Sequence, residues 1–232
     1  MPTTPEPATI AYLTSVYARA SDSFIRGEGD LVNLCTCRRL QINLRNSLVA
    51  VSGSLVDLDV KADEMAPEQG PRVELRQTSV FSREPVFALS STRAGKGLGQ
   101  VHVDATACLF AALAKRPLIY LKAPDVQSEG QLGKYLDWKG EQNGYARFDK
   151  LLEYERPDEM GRQMELTTGE WGKLFGETQV GRDETPLPPL ADVVLSQVRP
   201  DDLRPTRDVE AAAPGVGSLA ELDPLLKALD AR

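Results

Sequence analysis

Hydrophobic and polar residues follow one pattern that occurs five times between residues 23 and 154. Each copy begins with a small or polar residue followed by two apolar residues. After a gap come two adjacent apolar residues, and a third apolar residue lies two positions after them. The third residue is Leu34, Leu58, Leu89, Leu121 or Tyr154, so the pattern recurs after 24 to 33 residues. Supersecondary units of this length stack into solenoids.

A shorter stretch of apolar and polar alternation precedes most copies, as in Val73-Glu74-Leu75. Alternation with a period of two residues indicates a strand with one buried face. Such stretches occur at residues 41–45, 72–76, 100–104 and 135–139, with residues 9–12 as a counterpart before the first copy. Together with the repeated phrase they predict coils of two strands each, joined by loops rich in glycine, proline and small polar residues.

Superposing the copies predicts which residues stack on one another. The three predicted columns are Phe24, Leu48, Val80, Leu109 and Tyr145; then Leu31, Leu55, Val86, Leu118 and Leu151; then Leu34, Leu58, Leu89, Leu121 and Tyr154. Equivalent residues of successive coils are in contact in a solenoid, so these columns would form its core. We predict an all-β fold, a parallel β-helix of about five coils, right-handed by the general rule for crossover connections.

The carboxyl-terminal part of the chain has a different composition. Two capping-box sequences, at residues 167–170 and 218–221, precede apolar residues with helical spacing and predict short helices. Residues 181–216 between them are rich in proline and aspartate. We therefore predict a solenoid in residues 1–180 that the first helix closes, a disordered linker at 181–216, and an amphipathic helix at 217–232.

Charge and cysteine content narrow the possible functions. The formal net charge of −7 disfavours binding to nucleic acid or to anionic membranes. Cys35, Cys37, Cys108 and the single histidine, His102, lack the spacing of a zinc site, and we expect neither a metal nor another cofactor. The chain starts without an export signal and has no run of eighteen apolar residues. These features predict a cytoplasmic protein without a membrane-inserted segment.

Four segments of the repeat share their phrasing with a known family. They are residues 24–31, 44–50, 108–111 and 138–145. These segments resemble the coils of β-helix regions attached to planctomycete serine/threonine protein kinases, and the similarity extends over about residues 9–178. The glycine-rich phosphate loop and the His-Arg-Asp and Asp-Phe-Gly motifs of the kinase do not occur. The resemblance implies a non-catalytic binding or structural module, an appendage or split-off part of a larger signalling protein.

The start of the chain carries a second resemblance. Residues 10–15 and 20–28 are similar to the opening of bacterial two-domain glycosyltransferases, which implies a fragment derived from such an enzyme. The similarity ends at Gly29, where the following residues match the next copy of the repeat without a gap. The repeat thus favours the first coil of a solenoid.

The polar residues of the alternating strands face outward if the apolar ones face inward. This predicts an outward column of Asn43, Glu74, His102 and Asp137 beside a column of Arg45, Arg76, Asp104 and Lys139. Acids and bases a few ångströms apart can perform general acid-base chemistry on a sugar chain. Glu74, His102 and Asp137 are therefore the candidate catalytic residues of a carbohydrate-active lyase or hydrolase. The alternative is a solvated sheet face whose charges serve solubility and register.

Aromatic and amide side chains near this column are candidates for binding a carbohydrate. They are Trp138, Asn143 and Tyr120. A turn before the fifth coil explains Asn143 and Gly144 equally well.

The amino-terminal coil is the predicted contact surface. It begins within ten residues of Met1, and no amphipathic helix precedes it. An uncapped solenoid end presents unpaired strand edges and apolar surface. We therefore expect residues 9–24 to pack on the chain's own tail, on a second copy or on another protein.

Overall fold

The chain forms a parallel β-helix of five coils in a computed structural model, which confirms the predicted solenoid. The structure describes residues 15–35, 39–60, 70–91, 99–123, 129–155, 163–177 and 194–203. The strands of the five coils are, in order, β1 (Ser15–Ser21), β2 (Phe24–Gly27), β3 (Val32–Leu34), β4 (Arg39–Arg45), β5 (Leu48–Val51), β6 (Val56–Val60), β7 (Arg72–Arg76), β8 (Ser79–Ser82), β9 (Phe87–Ser91), β10 (Val101–Thr106), β11 (Leu109–Ala112), β12 (Ile119–Lys122), β13 (Leu136–Glu141), β14 (Gly144–Ala146) and β15 (Leu152–Glu155).

Each coil contributes one strand to each of three parallel sheets. Sheet A contains β1, β4, β7, β10 and β13; sheet B contains β2, β5, β8, β11 and β14; sheet C contains β3, β6, β9, β12 and β15. The coils have three strands and not the predicted two, because a turn divides each repeated phrase. In the second coil Gly53 lies in this turn, where an added Cβ would come within 2.2 Å of a carboxylate oxygen of Asp30. Only glycine fits there without displacing the neighbouring coil.

The first strand in the described part of the solenoid is β1. Ala18 of β1 pairs with Ile42 of β4, and Ser21 pairs with Arg45. The strand predicted at residues 9–12 lies outside the described residues. Strand β1 ends at Ser21, two residues before Ser23, because the turn into β2 sets the last residue of each strand of sheet A.

Two of the three predicted core columns are confirmed. Strand pairing stacks Leu34 on Leu58, and it continues through Leu89 and Leu121 to Tyr154. The column that begins at Leu31 follows from the same register. The column that begins at Phe24 is wrong in two coils, because Ser79 and Gly144 occupy the positions predicted for Val80 and Tyr145.

The corner between sheets A and B explains this shift. Its first residue has a positive φ of 45° to 56° in every coil; these residues are Asp22, Asn46, Gln77, Ala107 and Gln142. The residues after them stack in a second column of Ser23, Ser47, Thr78, Cys108 and Asn143. In the first four coils the side chain of this second residue donates a hydrogen bond to the carbonyl two residues earlier, over 2.7 to 3.3 Å. This small polar residue, and not the apolar pair after it, fixes the alignment of the coils.

Sheet B is apolar on both of its faces. Val49 and Val80 face the central core, while Leu48, Ala50 and Phe81 face outward and are also buried. Residues 194–203 pack on this outer face as two short 3₁₀ segments, Leu195–Gln197 and Pro200–Leu203. This part of the predicted linker is therefore folded, because it covers apolar surface that water would otherwise contact. The remainder of residues 181–216 and the helix predicted at 217–232 lie outside the described residues.

The carboxyl-terminal end of the solenoid is closed by two elements. Strand β16 (Gln163–Leu166) pairs antiparallel with β15 and extends sheet C by one strand. The predicted helix is confirmed as α1 (Thr168–Phe175), in which the backbone N–H and hydroxyl of Thr167 both donate to the Glu170 carboxylate over 2.8 Å. Within the described parts of the chain, no helix has the length and apolarity needed to cross a membrane.

Candidate functional site

The outer face of sheet A holds the predicted catalytic residues, and its register differs from the prediction. Glu74 lies beside Asp104 and accepts a hydrogen bond from Asn43 over 3.1 Å. His102 lies beside Arg72 and Asp137. The observed outward columns are Gln41, Arg72, His102 and Asp137; then Asn43, Glu74, Asp104 and Lys139; then Arg45, Arg76, Thr106 and Glu141.

The predicted column is wrong because it was aligned on the apolar residues of the strands. The corner sets the register, and it stacks Thr106 on Arg76. Four residues before this pair, His102 lies on Arg72, and Glu74 lies one column away. The three candidate catalytic residues therefore do not lie in one column.

His102 and Asp137 form the only predicted acid and base pair that the structure brings together. Nδ1 of His102 is 2.9 Å from Oδ2 of Asp137, and both side chains are about one third exposed. Nζ of Lys139 is 4.0 Å from the same oxygen. Among the described residues, no three His, Cys, Asp or Glu side chains are grouped so that they could hold a metal ion.

A cavity of about 290 Å³ lies elsewhere, at the corner of sheets A and B in the first three coils. Arg19, Asn43 and Arg45 are among its lining residues. None of the predicted catalytic residues lines this cavity, so the surface concavity and the His102–Asp137 pair are separate features.

Tyr120 lies on the outer face of sheet C, away from the other predicted ligand-binding residues. Its hydroxyl donates a hydrogen bond to Glu155, which also accepts one from Lys122 over 3.1 Å. Burial and the neighbouring Glu155 carboxylate raise the pKa of Tyr120. The hydrogen bonds from Tyr120 and Lys122 lower the pKa of Glu155. The Tyr120 hydroxyl is therefore already engaged within the protein.

Trp138 and Asn143 lie inside the solenoid, which corrects the expectation that they face a ligand on the surface. Their exposed fractions are 3% and 0%. Trp138 faces inward, as the alternation along β13 requires, and pairs with Val103 of the previous coil. Asn143 is held at both ends of its amide, since it accepts from the Cys108 N–H over 2.9 Å and donates to the Ala105 carbonyl over 2.9 Å.

Both residues also donate to one buried carboxylate, that of Glu177, which sequence reasoning missed. Its exposed fraction is 6%. Four side chains donate to it: Trp138 Nε1 over 2.8 Å, Trp171 Nε1 over 2.9 Å, Asn143 Nδ2 over 2.6 Å, and the Tyr145 hydroxyl over 2.7 and 2.8 Å to the two oxygens. All four donors are neutral, so the carboxylate is stabilised by hydrogen bonds without an ion pair in this set.

The local backbone explains how Glu177 reaches this position. Helix α1 ends at Phe175, and the next residue, Gly176, adopts a left-handed φ of 68° and turns the chain back toward the solenoid. The carboxylate then lies against Gly140 of β13, where an added Cβ would come within 2.1 Å of its Cδ atom. The absence of a side chain at Gly140 creates the space that the carboxylate fills.

The charge of Glu177 affects its neighbours. Burial, followed by the charge of Glu177, raises the pKa of Tyr145 well above its ordinary value. Burial is also the main cause that raises the pKa of the Cys108 thiol to about 12. Both groups therefore stay protonated at neutral pH, and Tyr145 remains a hydrogen-bond donor.

One general signal for this cluster is the presence of tryptophan, because a buried indole N–H needs a hydrogen-bond acceptor. The chain has two tryptophans, Trp138 and Trp171, and the structure shows that both are buried. Nothing local in the sequence selects Glu177 as that acceptor. In comparisons with known proteins, no family model, no curated protein and no solved structure matches the chain.

Proposed function

We propose that this protein is a non-catalytic β-helix module that pairs with a second copy of itself through its first coil. The observation that carries the proposal is that, among the described residues, further elements cover the carboxyl-terminal end of the solenoid and none covers the edge of β1. At the closed end β16 covers β15, and Trp171 packs on Trp138 with ring centroids 5.0 Å apart. At the open end, β1 is the outermost strand of sheet A in the described part of the chain.

The edge of β1 presents both hydrogen-bonding groups and apolar surface. Val16, Ala18 and Ala20 are only partly buried, although the residues that pair with them in the second coil are buried in the core. Tyr17 on the outward face is 61% exposed. An unpaired edge of this kind is a template for another strand.

A second copy is the occupant that fits this edge. Ala18 is the middle residue of the seven in β1, so a two-fold axis there would pair two β1 strands antiparallel and place Tyr17 opposite Arg19 of the other copy. Such a cation–π contact already occurs within the chain, where the Arg39 guanidinium lies 5.8 Å from the Tyr17 ring centroid. Because the other end is closed, the assembly stops at two copies and does not grow into a filament.

The outward polar residues support a role without catalysis. The Glu74 carboxylate is hydrogen-bonded to Asn43, and His102 is hydrogen-bonded to Asp137. The Tyr120 hydroxyl is hydrogen-bonded to Glu155. Hydrogen bonds of this kind between successive coils stabilise a sheet and keep its register. The resemblance to kinase-attached β-helices agrees with this role and stays a prediction.

The test is the mass of the protein in solution, measured by sedimentation equilibrium. The native chain is expected at the mass of two chains. Tyr17→Arg places like charges on both sides of the two-fold axis and is expected to give one chain, while adding Arg19→Glu restores the attraction and the pair. Gln41→Arg adds the same charge one coil deeper and serves as the matched control. A native chain that stays single at all concentrations, or a Tyr17→Arg variant that pairs normally, contradicts the proposal.

The carbohydrate-active enzyme is tested separately. A screen on polysaccharides is expected to show no cleavage by the native protein. Cleavage that disappears in both Glu74→Gln and Asp137→Asn would establish the enzyme instead.

A further inference from the structure

We propose that the last coil contains a binding site for a carboxylate group, and that Glu177 occupies this site as an internal ligand. Three of the four donors, Trp138, Asn143 and Tyr145, belong to the solenoid itself. Glu177 and Trp171 belong to the segment that closes the end. The site and its occupant are therefore contributed by different parts of the fold.

The solenoid donors are held in place by contacts other than those with Glu177. The Tyr145 ring stacks on Phe110 with an interplanar angle of 11°, and the Trp138 ring meets Phe87 edge to face with centroids 5.9 Å apart. Asn143 is fixed by its bonds to the backbone of Cys108 and Ala105. Removal of Glu177 would thus leave a set of oriented donors in place.

The chemistry of the site selects a carboxylate. Two indole N–H groups, a phenol and an amide N–H converge on two oxygen atoms, and an ionised carboxylate has enough lone pairs to accept from all of them. An ammonium group has no acceptor to offer these donors. The space above Gly140 is shaped for a planar group of three heavy atoms, because an added Cβ would overlap the Cδ and both oxygens of Glu177.

The ligand class that follows is a small monocarboxylate or the carboxylate of an acidic peptide segment. Such a ligand takes the site when the Glu177 carboxylate leaves it. This inference is independent of the pairing at β1, since that edge lies at the opposite end of the solenoid.

The test uses the full-length Glu177→Ala variant with sodium acetate as the probe. Trp138 and Trp171 are the two tryptophans of the chain, and both contact the site, so intrinsic fluorescence reports directly on its occupation. Acetate is expected to produce a saturable fluorescence change that is half complete at a roughly millimolar acetate concentration, because a ligand of only four heavy atoms binds weakly. It is also expected to raise the melting temperature of the variant by several degrees.

Three comparisons make the result specific. Acetamide, methylammonium and sodium chloride at the same concentration are expected to have no such effect on Glu177→Ala. The native protein and Glu141→Ala, which removes an exposed acid from the same strand as Trp138, are expected not to respond to acetate.

If Glu177→Ala does not fold in chloride, the same titration is followed as the recovery of native fluorescence and circular dichroism. Recovery in acetate supports the site. The inference is overturned if acetate changes neither fluorescence, nor stability, nor folding beyond its effect on Glu141→Ala.

Discussion

The substitution Gly140→Ala is expected to expel Glu177 from its site. The new Cβ would lie 2.1 Å from Cδ of Glu177 and 2.2 and 2.3 Å from its two oxygens. Ordinary van der Waals contact begins near 3.4 Å, so the carboxylate must move by more than about 1 Å. Its hydrogen bonds, now 2.6 to 2.9 Å long, cannot survive such a displacement.

The magnitude follows from the number of bonds that are lost. Four buried donors lose a charged partner, and each such bond contributes about 1.5 to 3 kcal/mol. Water that enters the space replaces part of this, so we expect Gly140→Ala to lower the free energy of unfolding by about 3 to 5 kcal/mol. That loss is a large fraction of the stability of an ordinary domain.

A double-mutant cycle with Glu177→Ala separates this cause from general damage to the strand. Gly140 does not have a left-handed φ, so alanine is compatible with its backbone. Without the Glu177 side chain, Gly140→Ala should be neutral or stabilising by about 0.5 kcal/mol, because alanine loses less conformational entropy on folding. The two substitutions are therefore expected to be coupled by about 3 kcal/mol or more.

The assay is urea unfolding followed by far-ultraviolet circular dichroism, which does not depend on the tryptophan environment. The native protein, both single variants and the double variant are measured under one set of conditions. An equal loss of stability from Gly140→Ala in the presence and absence of Glu177 would refute the reasoning, because the clash with the carboxylate would then not be its source.

Three further predictions concern the corner between sheets A and B, Asp57 and the tyrosines. Gln77 has a φ of 49°, so Gln77→Gly should stabilise the protein by about 0.5 kcal/mol. Gln41 lies in an extended strand, so Gln41→Gly should destabilise the protein by about 1 kcal/mol. Equal losses of stability in urea unfolding would contradict this. Burial and two neighbouring aspartates raise the pKa of Asp57, so its favourable contribution exists below its ordinary pKa of 3.8 and is lost as the pH rises. Asp57→Asn should therefore raise the melting temperature at about pH 7 and not at about pH 3. An equal rise in melting temperature at the two pH values would count against a raised pKa of Asp57. The raised pKa values of Tyr120 and Tyr145 predict that, of the six tyrosines, at least these two ionise only as the protein unfolds in alkali; ultraviolet titration of all six near the ordinary value in the native state would disprove it.

Much of the fold could be predicted because the solenoid repeats a simple alternation. Strand β7 has the predicted bounds, and the column from Leu34 to Tyr154 was found from the last apolar residue of each copy. The register of sheet A could not be found in this way. The corner that sets it is defined by a backbone conformation that Asn46 and Ala107 share, although their side chains differ.

The candidate site could be predicted only in part. The alternation along β13 gives an outward Asp137 and an inward Trp138, as observed, whereas the choice of Trp138 as a carbohydrate-binding residue at the surface was wrong. The acceptor for the buried indole is Glu177, which reaches Trp138 through a contact between parts of the chain that are distant in sequence. Likewise, the apolar outer face of sheet B indicates a cover, and only the structure shows that residues 194–203 contribute to it.

Pairing through the first coil is tested most directly by a distance between two copies. A spin label at Asp104→Cys, with Cys35 and Cys37 replaced by serine, lies three coils from β1 on the outer face of sheet A. A head-to-head pair places seven strand spacings between the two labels, so electron-electron dipolar spectroscopy should give a distance of about 35 Å. Absence of any intermolecular distance, or one that does not fit this arrangement, would contradict the account.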